Sequence, residues 1–480
     1  MFSAASNVPG FKPPDYDKLR GPLLEEAKKE IQADLVPFNA SMRKRGVGLC
    51  FDGWTDASLH PLINAMAVSG GEVQFLKAFN TEGATKDAAF YYRIMCEMIE
   101  EVGPQHVVMV ATDNAPVCPA AGKMVEEKYP HIFWLPCTSH VMDLALEDLS
   151  KLDWVDGLTD SCNTAVKFIR NHQAPLSVFR SHSKLELLKP GETRFGTNVI
   201  MASRLEAVKE ALQSTVVDAA FNSWRDRQSA ATQATSNQVR RFLLNEQSWE
   251  RIGNLVLVSD PFMEIIRLAD SQKPVAGKMF WRCHQAGEKL KEGAGSSLSQ
   301  AKIREVVRIW DTRYAQLSSP LYAAGYVLDP EFWDHNVSEA MEGFTTVVER
   351  MLDPEAAAKA MVQLSAFRNK QGIFGRASVL TSAKTLAGHE FWEQYGGGVS
   401  ELQRVAVRVL SMTASATSCE RNWSTYGFIH NPRRNKLTPK RAQDLVYVFT
   451  NLRLRRRVLA RDYQTNKLDW EASEESEADE

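Results

Sequence analysis

Paired cysteines are missing from this sequence. Seven cysteines stand at 50, 96, 118, 137, 162, 283 and 419, an odd number with no Cys-x-x-Cys spacing. That pattern predicts free thiols in a reducing compartment and excludes a disulfide framework. Long apolar runs are missing too: no stretch approaches membrane-spanning length. The opening MFSAASNVPGFKPPDYDKLRG sets prolines and charges where a secretory segment needs an unbroken apolar run. A membrane location is therefore excluded, and a nuclear or cytoplasmic one is expected. Charge of one sign is also absent, with 57 Lys and Arg against 59 Asp and Glu, so only local patches can attract a polyanion. The first 45 residues contain neither cysteine nor histidine, and no internal repeat is visible. What remains, 480 residues of which 44% are hydrophobic and 24% charged, is enough to bury cores in several structural units.

An extended segment marked by Pro9, Pro13 and Pro14 leads into PLLEEAKKEIQADLVPF, where Leu24, Ala27, Ile31 and Leu35 share one helical face. Residues 1–45 therefore read as a lead-in and a helix. The period then changes. VGLCFDGW, PLINAMAVSG and EVQFLKAFN read as three strands joined by short turns, and KDAAFYYRIMCEMIEEVG as an amphipathic helix stopped by Gly103. HVVMVATDNA is a buried-strand run, PVCPAAGKMVEEKYP is helical, IFWLPCTSH is a short strand and VMDLALEDLSKL a helix. Three antiparallel strands followed by alternating strands and helices is the order of a ribonuclease H-like α/β core, here expected over 46–195. From 196 to 400 the strand signals fade and helical ones dominate, which predicts a large all-helical insertion. Residues 401–457 would return to complete the core, and 458–480 form an acidic tail, DWEASEESEADE at its end, with the composition of a disordered segment.

The stretch GLCFDGWTD raises the first chemical question. Alternation along a strand puts Val47, Leu49 and Phe51 on one face and Gly48, Cys50 and Asp52 on the other, leaving a carboxylate at a strand end. Such a group requires a partner, a hydrogen bond or a cation. Asp113 ends the fourth strand in the same way, and in a ribonuclease H-like sheet the two strands are neighbours. The pair has the oxygen-only chemistry of a Mg²⁺ site, in which two or three carboxylates suffice with water and phosphate oxygens. The residues alone favour a plainer role for Asp113, capping the next helix or closing an Asx-turn ahead of Asn114, Ala115 and Pro116.

The third piece is SATSCERNWSTYGFIHNPRRNKLTPKRAQDLVYVFTNLRLRRR, from Ser415. Ala416, Thr417, Ser418 and Cys419 are small enough for close helix packing, and Glu420 would project to the same edge. This segment resembles the C-terminal dimerisation region of the hAT-superfamily DNA transposases, the hobo and Activator relatives. Ser418, Glu420, Arg421, Trp423, Ser424, Arg434, Asn435 and Leu437 stand in the positions of its pattern. Upstream, CFDGWTD, VATDNAPVCPAAGKMV and PCTSHVMDLALEDL are similar to the plant-type transposase domain that often accompanies it, so that the likeness runs over nearly all of residues 8 to 457.

The resemblance implies an Asp52, Asp113 and Glu420 triad holding Mg²⁺ (or Mn²⁺), cutting DNA and joining strands, with the insertion separating the last member from the others. It implies DNA and a second copy of the chain as partners, and no small-molecule substrate. Asp56 then reads as a turn residue. His140, in Cys137-x-x-His140, would touch a phosphate or simply hydrogen-bond at a helix start; two ligands cannot close a zinc site. Arg194 would hold a phosphate and Phe195, where the family commonly has tryptophan, would stack on a base or serve the core. The apolar face of RAQDLVYVFTNLRL, with Leu445, Val446 and Phe449, and Trp423 before it, are the expected dimerisation residues. Arg433, Arg434, Lys436, Lys440 and Arg441, then Arg453, Arg455, Arg456 and Arg457, form a basic run that contacts phosphates, acts as a nuclear signal or is a solvated face. Full-length relatives usually begin with a BED-type zinc finger, which this sequence does not carry. A second class of function therefore stands beside the active transposase: a transposase-derived, catalytically silent DNA-binding or dimerising protein.

Overall fold

The first expected strand forms over Val47–Thr55 (β1), buried on both faces from Val47 to Phe51 and emerging at Asp52. A strand buried on both faces must be central, and β1 is. In the computed structural model, which describes residues 14–55, 60–191, 194–271, 273–429 and 438–459, it lies between Pro61–Ser69 (β2) and Val107–Thr112 (β4). Glu72–Asn80 (β3) and Phe133–Pro136 (β5) complete a mixed five-stranded sheet of order β3-β2-β1-β4-β5. β1, β2 and β3 pair antiparallel, and β1, β4 and β5 pair parallel. Asp56, residues 430–437 with Arg433, Arg434, Asn435, Lys436 and Leu437, and the acidic tail from 460 lie outside the described residues.

The chain divides into two compact units. The first comprises Met1–Cys137, Ala269–Phe280 and Ser319–Glu480, and contains the sheet. Leu49 and Phe51, on one face of β1, join a core with Ile31, Leu35, Phe38 and Met42 and with Ile94, Met95, Met98 and Val125 from the Ala88–Val102 and Cys118–Lys128 helices. Those helices start and stop where the sequence signals them. Asp87 caps the first by accepting the Phe90 N–H at 2.8 Å, and Gly103, at φ 100°, ends it in a conformation that favours glycine. Before the sheet, one expected helix is two, Pro22–Asp34 and Val36–Arg45, because Pro37 opens a new first turn just after Leu35.

The opposite face of β1 carries Gly48, Cys50 and Asp52 and packs on the Thr417–Ile429 helix. The Cys419 thiol donates to the Cys50 carbonyl at 3.1 Å. Residues 319–400, helices included, belong to this unit. The last described helix, Pro439–Leu459, runs beside β3 and the Pro22–Asp34 helix, to which it is tied by a Lys28–Asp444 ion pair at 2.5 Å.

The second unit, Thr138–Leu268 with Trp281–Ser318, contains helices and no strand among its described residues. It takes in the helix Thr138–Ser150 and the Leu158–Asn171 and Gln173–His182 helices, as well as the helical run that follows 196. Asp143 fastens the start of the Gly196–Ala207 helix, accepting from Phe195 N at 3.1 Å and Gly196 N at 2.8 Å.

Candidate active site

The three expected acids all lie in the first unit: Asp52 inside β1, which continues to Thr55, Asp113 just past the end of β4, and Glu420 at a helix start. The parallel register pairs Phe51 with Thr112, so Asp52 and Asp113 are the next residues along two adjacent strands. Neighbouring strands lie about 4.8 Å apart. On the other side of β1, Asp52 pairs with Asn64 of β2. Asn64 is fully buried, and its Nδ2 donates to the Cys419 carbonyl at 3.3 Å, pinning the helix that carries Glu420 opposite Asp52. An asparagine in the middle of the apolar run of PLINAMAVS was the sequence signal for this contact.

Each carboxylate is held differently. The Trp423 indole donates Nε1–H to Asp52 Oδ2 at 2.6 Å, and Trp423 stacks on Trp54 with ring centroids 5.1 Å apart. Asp113 Oδ1 accepts from Ala115 N at 3.3 Å and from the Cys118 thiol at 3.2 Å, which is the Asx-type contact expected of a residue entering a helix. Glu420 lies half-buried in the first turn of its own helix.

The electrostatics tie these groups together. Burial raises the Tyr91 phenol well above its ordinary value, and the charges of Asp113, Cys118 and Asp52 add to the effect, so its hydroxyl senses both aspartates. Burial also dominates the Cys419 thiol, raised further by Cys50, Asp52 and Glu420. Asp52 is thus the member common to both neighbourhoods. Burial pushes Cys50 to about 12, and burial with the Asp113 charge pushes Cys118 to about 12. A thiol held protonated in this way is a poor nucleophile.

Among the described residues, no group of three or more His, Cys, Asp or Glu side chains is gathered closely enough to hold a metal ion. The Asp52 and Asp113 pair fits a narrower mode, in which Mg²⁺ takes one or two carboxylates and completes its octahedron with water and phosphate oxygens. The donors are oxygen alone, as that ion prefers.

The other expected residues fall into two groups. His140, Arg194 and Phe195 are half-buried members of the second unit. The Phe195 backbone N–H is bound by Asp143. Of the dimerisation residues, Trp423 is 7% exposed and Val446 fully buried within their own chain, Leu445 is half-buried and Phe449 is 43% exposed. Phe428, which sequence periodicity did not single out, is 62% exposed and lies 6.3 Å from Phe449, ring to ring.

Residues 14–164, which span the whole sheet, match a domain of unknown function (DUF659). Residues 375–452 match the hAT family C-terminal dimerisation region, which begins before the expected boundary at 401 and ends inside the last helix. No curated protein matches the sequence. Over residues 375–452 the chain is therefore similar to the hAT family, while the match over residues 14–164 is to a domain whose function is not assigned.

Proposed function

We propose that this chain is the core of an hAT-like DNA transposase, built on a ribonuclease H-like fold, that cleaves DNA and transfers strands with Mg²⁺ or Mn²⁺. The observation that carries the reading is the placement of Asp52 and Asp113 just past the last pair, Phe51 with Thr112, of two adjacent parallel strands, with the Glu420 helix pinned across from Asp52 by Asn64. In this reading Asp52 and Asp113 hold the cation, which when bound activates an attacking oxygen and stabilises a leaving one. Glu420 is the third acid. His140 and Arg194 take phosphates and Phe195 offers a stacking face, while the C-terminal region joins two copies. The protein works in the nucleus.

The test is DNA nicking and strand transfer in Mg²⁺ and in Mn²⁺ by the wild-type chain beside Asp52→Asn and Glu420→Gln. Cleavage lost in both variants supports the reading. A second reading, a silent DNA-binding or dimerising descendant, is favoured by one observation: Glu420 is not gathered with the aspartates into a three-ligand cluster among the described residues. Failure of the wild type with every metal and DNA form, with DNA binding and self-association intact, would select it.

A further inference from the structure

Trp423 occupies a place for which the site's chemistry has a use. Its Nε1–H reaches Asp52 Oδ2 at 2.6 Å, the length of a strong bond to a charged acceptor. The ring is not free to swing away, since it is 7% exposed, stacked on Trp54 at 23° between planes, and met edge-on by Tyr426 at 6.0 Å. Tyr426 also meets Trp54, at 6.2 Å.

The supports come from the same two elements as the acids. Trp54 stands two residues after Asp52 on β1, hence on the same face of the strand. Trp423 stands three residues after Glu420, one turn along the same helix face. The strand that carries one acid and the helix that carries another thus meet through the indole. An indole is a donor only and is neutral. It can therefore fix the rotation of the carboxylate about its Cβ–Cγ bond without cancelling its charge, as a lysine or arginine in that place would.

We propose that Trp423 is the positioning residue of Asp52: by holding one carboxylate oxygen, it sets the direction in which Asp52 presents itself to a divalent cation. The inference rests on the reading of Asp52 as a cation ligand. Hydrogen-bond partners of metal ligands typically contribute 10–100-fold to metal affinity.

Mn²⁺ binding to the full-length chain, read as the loss of the free-ion electron paramagnetic resonance signal, tests it. Trp423→Phe keeps an aromatic ring for Trp54 to stack on and removes only the donor, so Mn²⁺ affinity should fall by about 10-fold or more, while Asp52→Asn should abolish binding. Unchanged or tighter binding in Trp423→Phe, with binding lost in Asp52→Asn, would overturn the positioning role and leave the ligand reading standing. Unchanged binding in both would overturn the ligand reading itself. The wild-type protein supplies a check that does not depend on the variant folding: with ¹⁵N-labelled tryptophan, the Trp423 indole N–H resonance should move on addition of Mg²⁺. A resonance that stays fixed through saturation would contradict the proposal.

Discussion

Asn451 grips the backbone of Phe75 from both sides: its Oδ1 accepts the Phe75 N–H at 3.0 Å and its Nδ2 donates to the Phe75 carbonyl at 3.1 Å. Phe75 lies on β3, the edge of the sheet, and both residues are buried, at 0% and 1% exposure. The carboxamide stands in for a neighbouring strand, which removes an edge that would otherwise invite pairing with other chains. Replacing Asn451 with Leu leaves a buried N–H and a buried carbonyl without partners. At about 1–3 kcal/mol for each unsatisfied group, the loss should be about 2–6 kcal/mol. A lowered urea midpoint with an unchanged slope is the expected result.

The exposed aromatic pair predicts where self-association is sensitive. Phe428 and Phe449, with Leu452 beside them at 37% exposure, put apolar surface in water on the C-terminal helices, within or next to the matched dimerisation region. Surface of this kind marks an interaction site rather than a core. The double substitution Phe428→Glu and Phe449→Glu should shift sedimentation velocity profiles to monomer while leaving the thermal midpoint within a few degrees of wild type. Val446→Ala, in contrast, removes a fully buried side chain and should lower stability first, by about 1–3 kcal/mol.

Acid sensitivity should come in two steps. His389 is 2% exposed, and burial together with the Arg45 charge lowers its imidazole below the ordinary value, against the opposing pull of Glu390 and Glu393. Because the folded chain keeps this base neutral, the unfolded chain gains a proton first as pH falls through about 6.5, and stability declines from there. Glu393 follows at lower pH. Burial alone would raise its carboxyl, but its hydrogen bond to Arg45, 2.9 Å from Nε to Oε1, and the Arg45 charge bring it below the ordinary value. Its contribution is present above the ordinary glutamate range and lost as pH falls through the folded value. His389→Leu should therefore flatten the first decline, by up to about 1.4 kcal/mol per pH unit for one proton, and leave the second in place. Urea midpoints from pH 8 down to about pH 4 measure both.

The strands were legible because a period of two is a local property of the chain: β1, β2, β3, β4 and β5 form where alternation and buried runs put them. Asp113 just past its strand was legible for the same reason, whereas Asp52 lies inside β1, which runs on to Thr55 because its pairing with β2 continues after that with β4 has stopped. The break at Leu35 was missed because Pro37 suits the first turn of a new helix as well as the end of an old one. Contacts between distant segments leave weaker marks. Trp423 has the composition of a partner-facing aromatic, and nothing near it in sequence reveals that its N–H meets Asp52, 371 positions away. Val446 shares a helix face with exposed residues, and only the packing of that helix on its own chain decides which of them reach solvent. The return of Ala269–Phe280 to the first unit, inside a helical stretch, has no compositional signal at all.

Cation-dependent chemistry at this site requires Asp52 and Asp113 to act as one cation-holding pair. The most direct measurement is anomalous diffraction at the manganese edge from crystals of the chain grown with Mn²⁺ and a short DNA duplex. An anomalous peak is expected within about 2.0–2.2 Å of an oxygen from each aspartate. A well-ordered complex with no peak there, or with manganese bound only elsewhere, would contradict it.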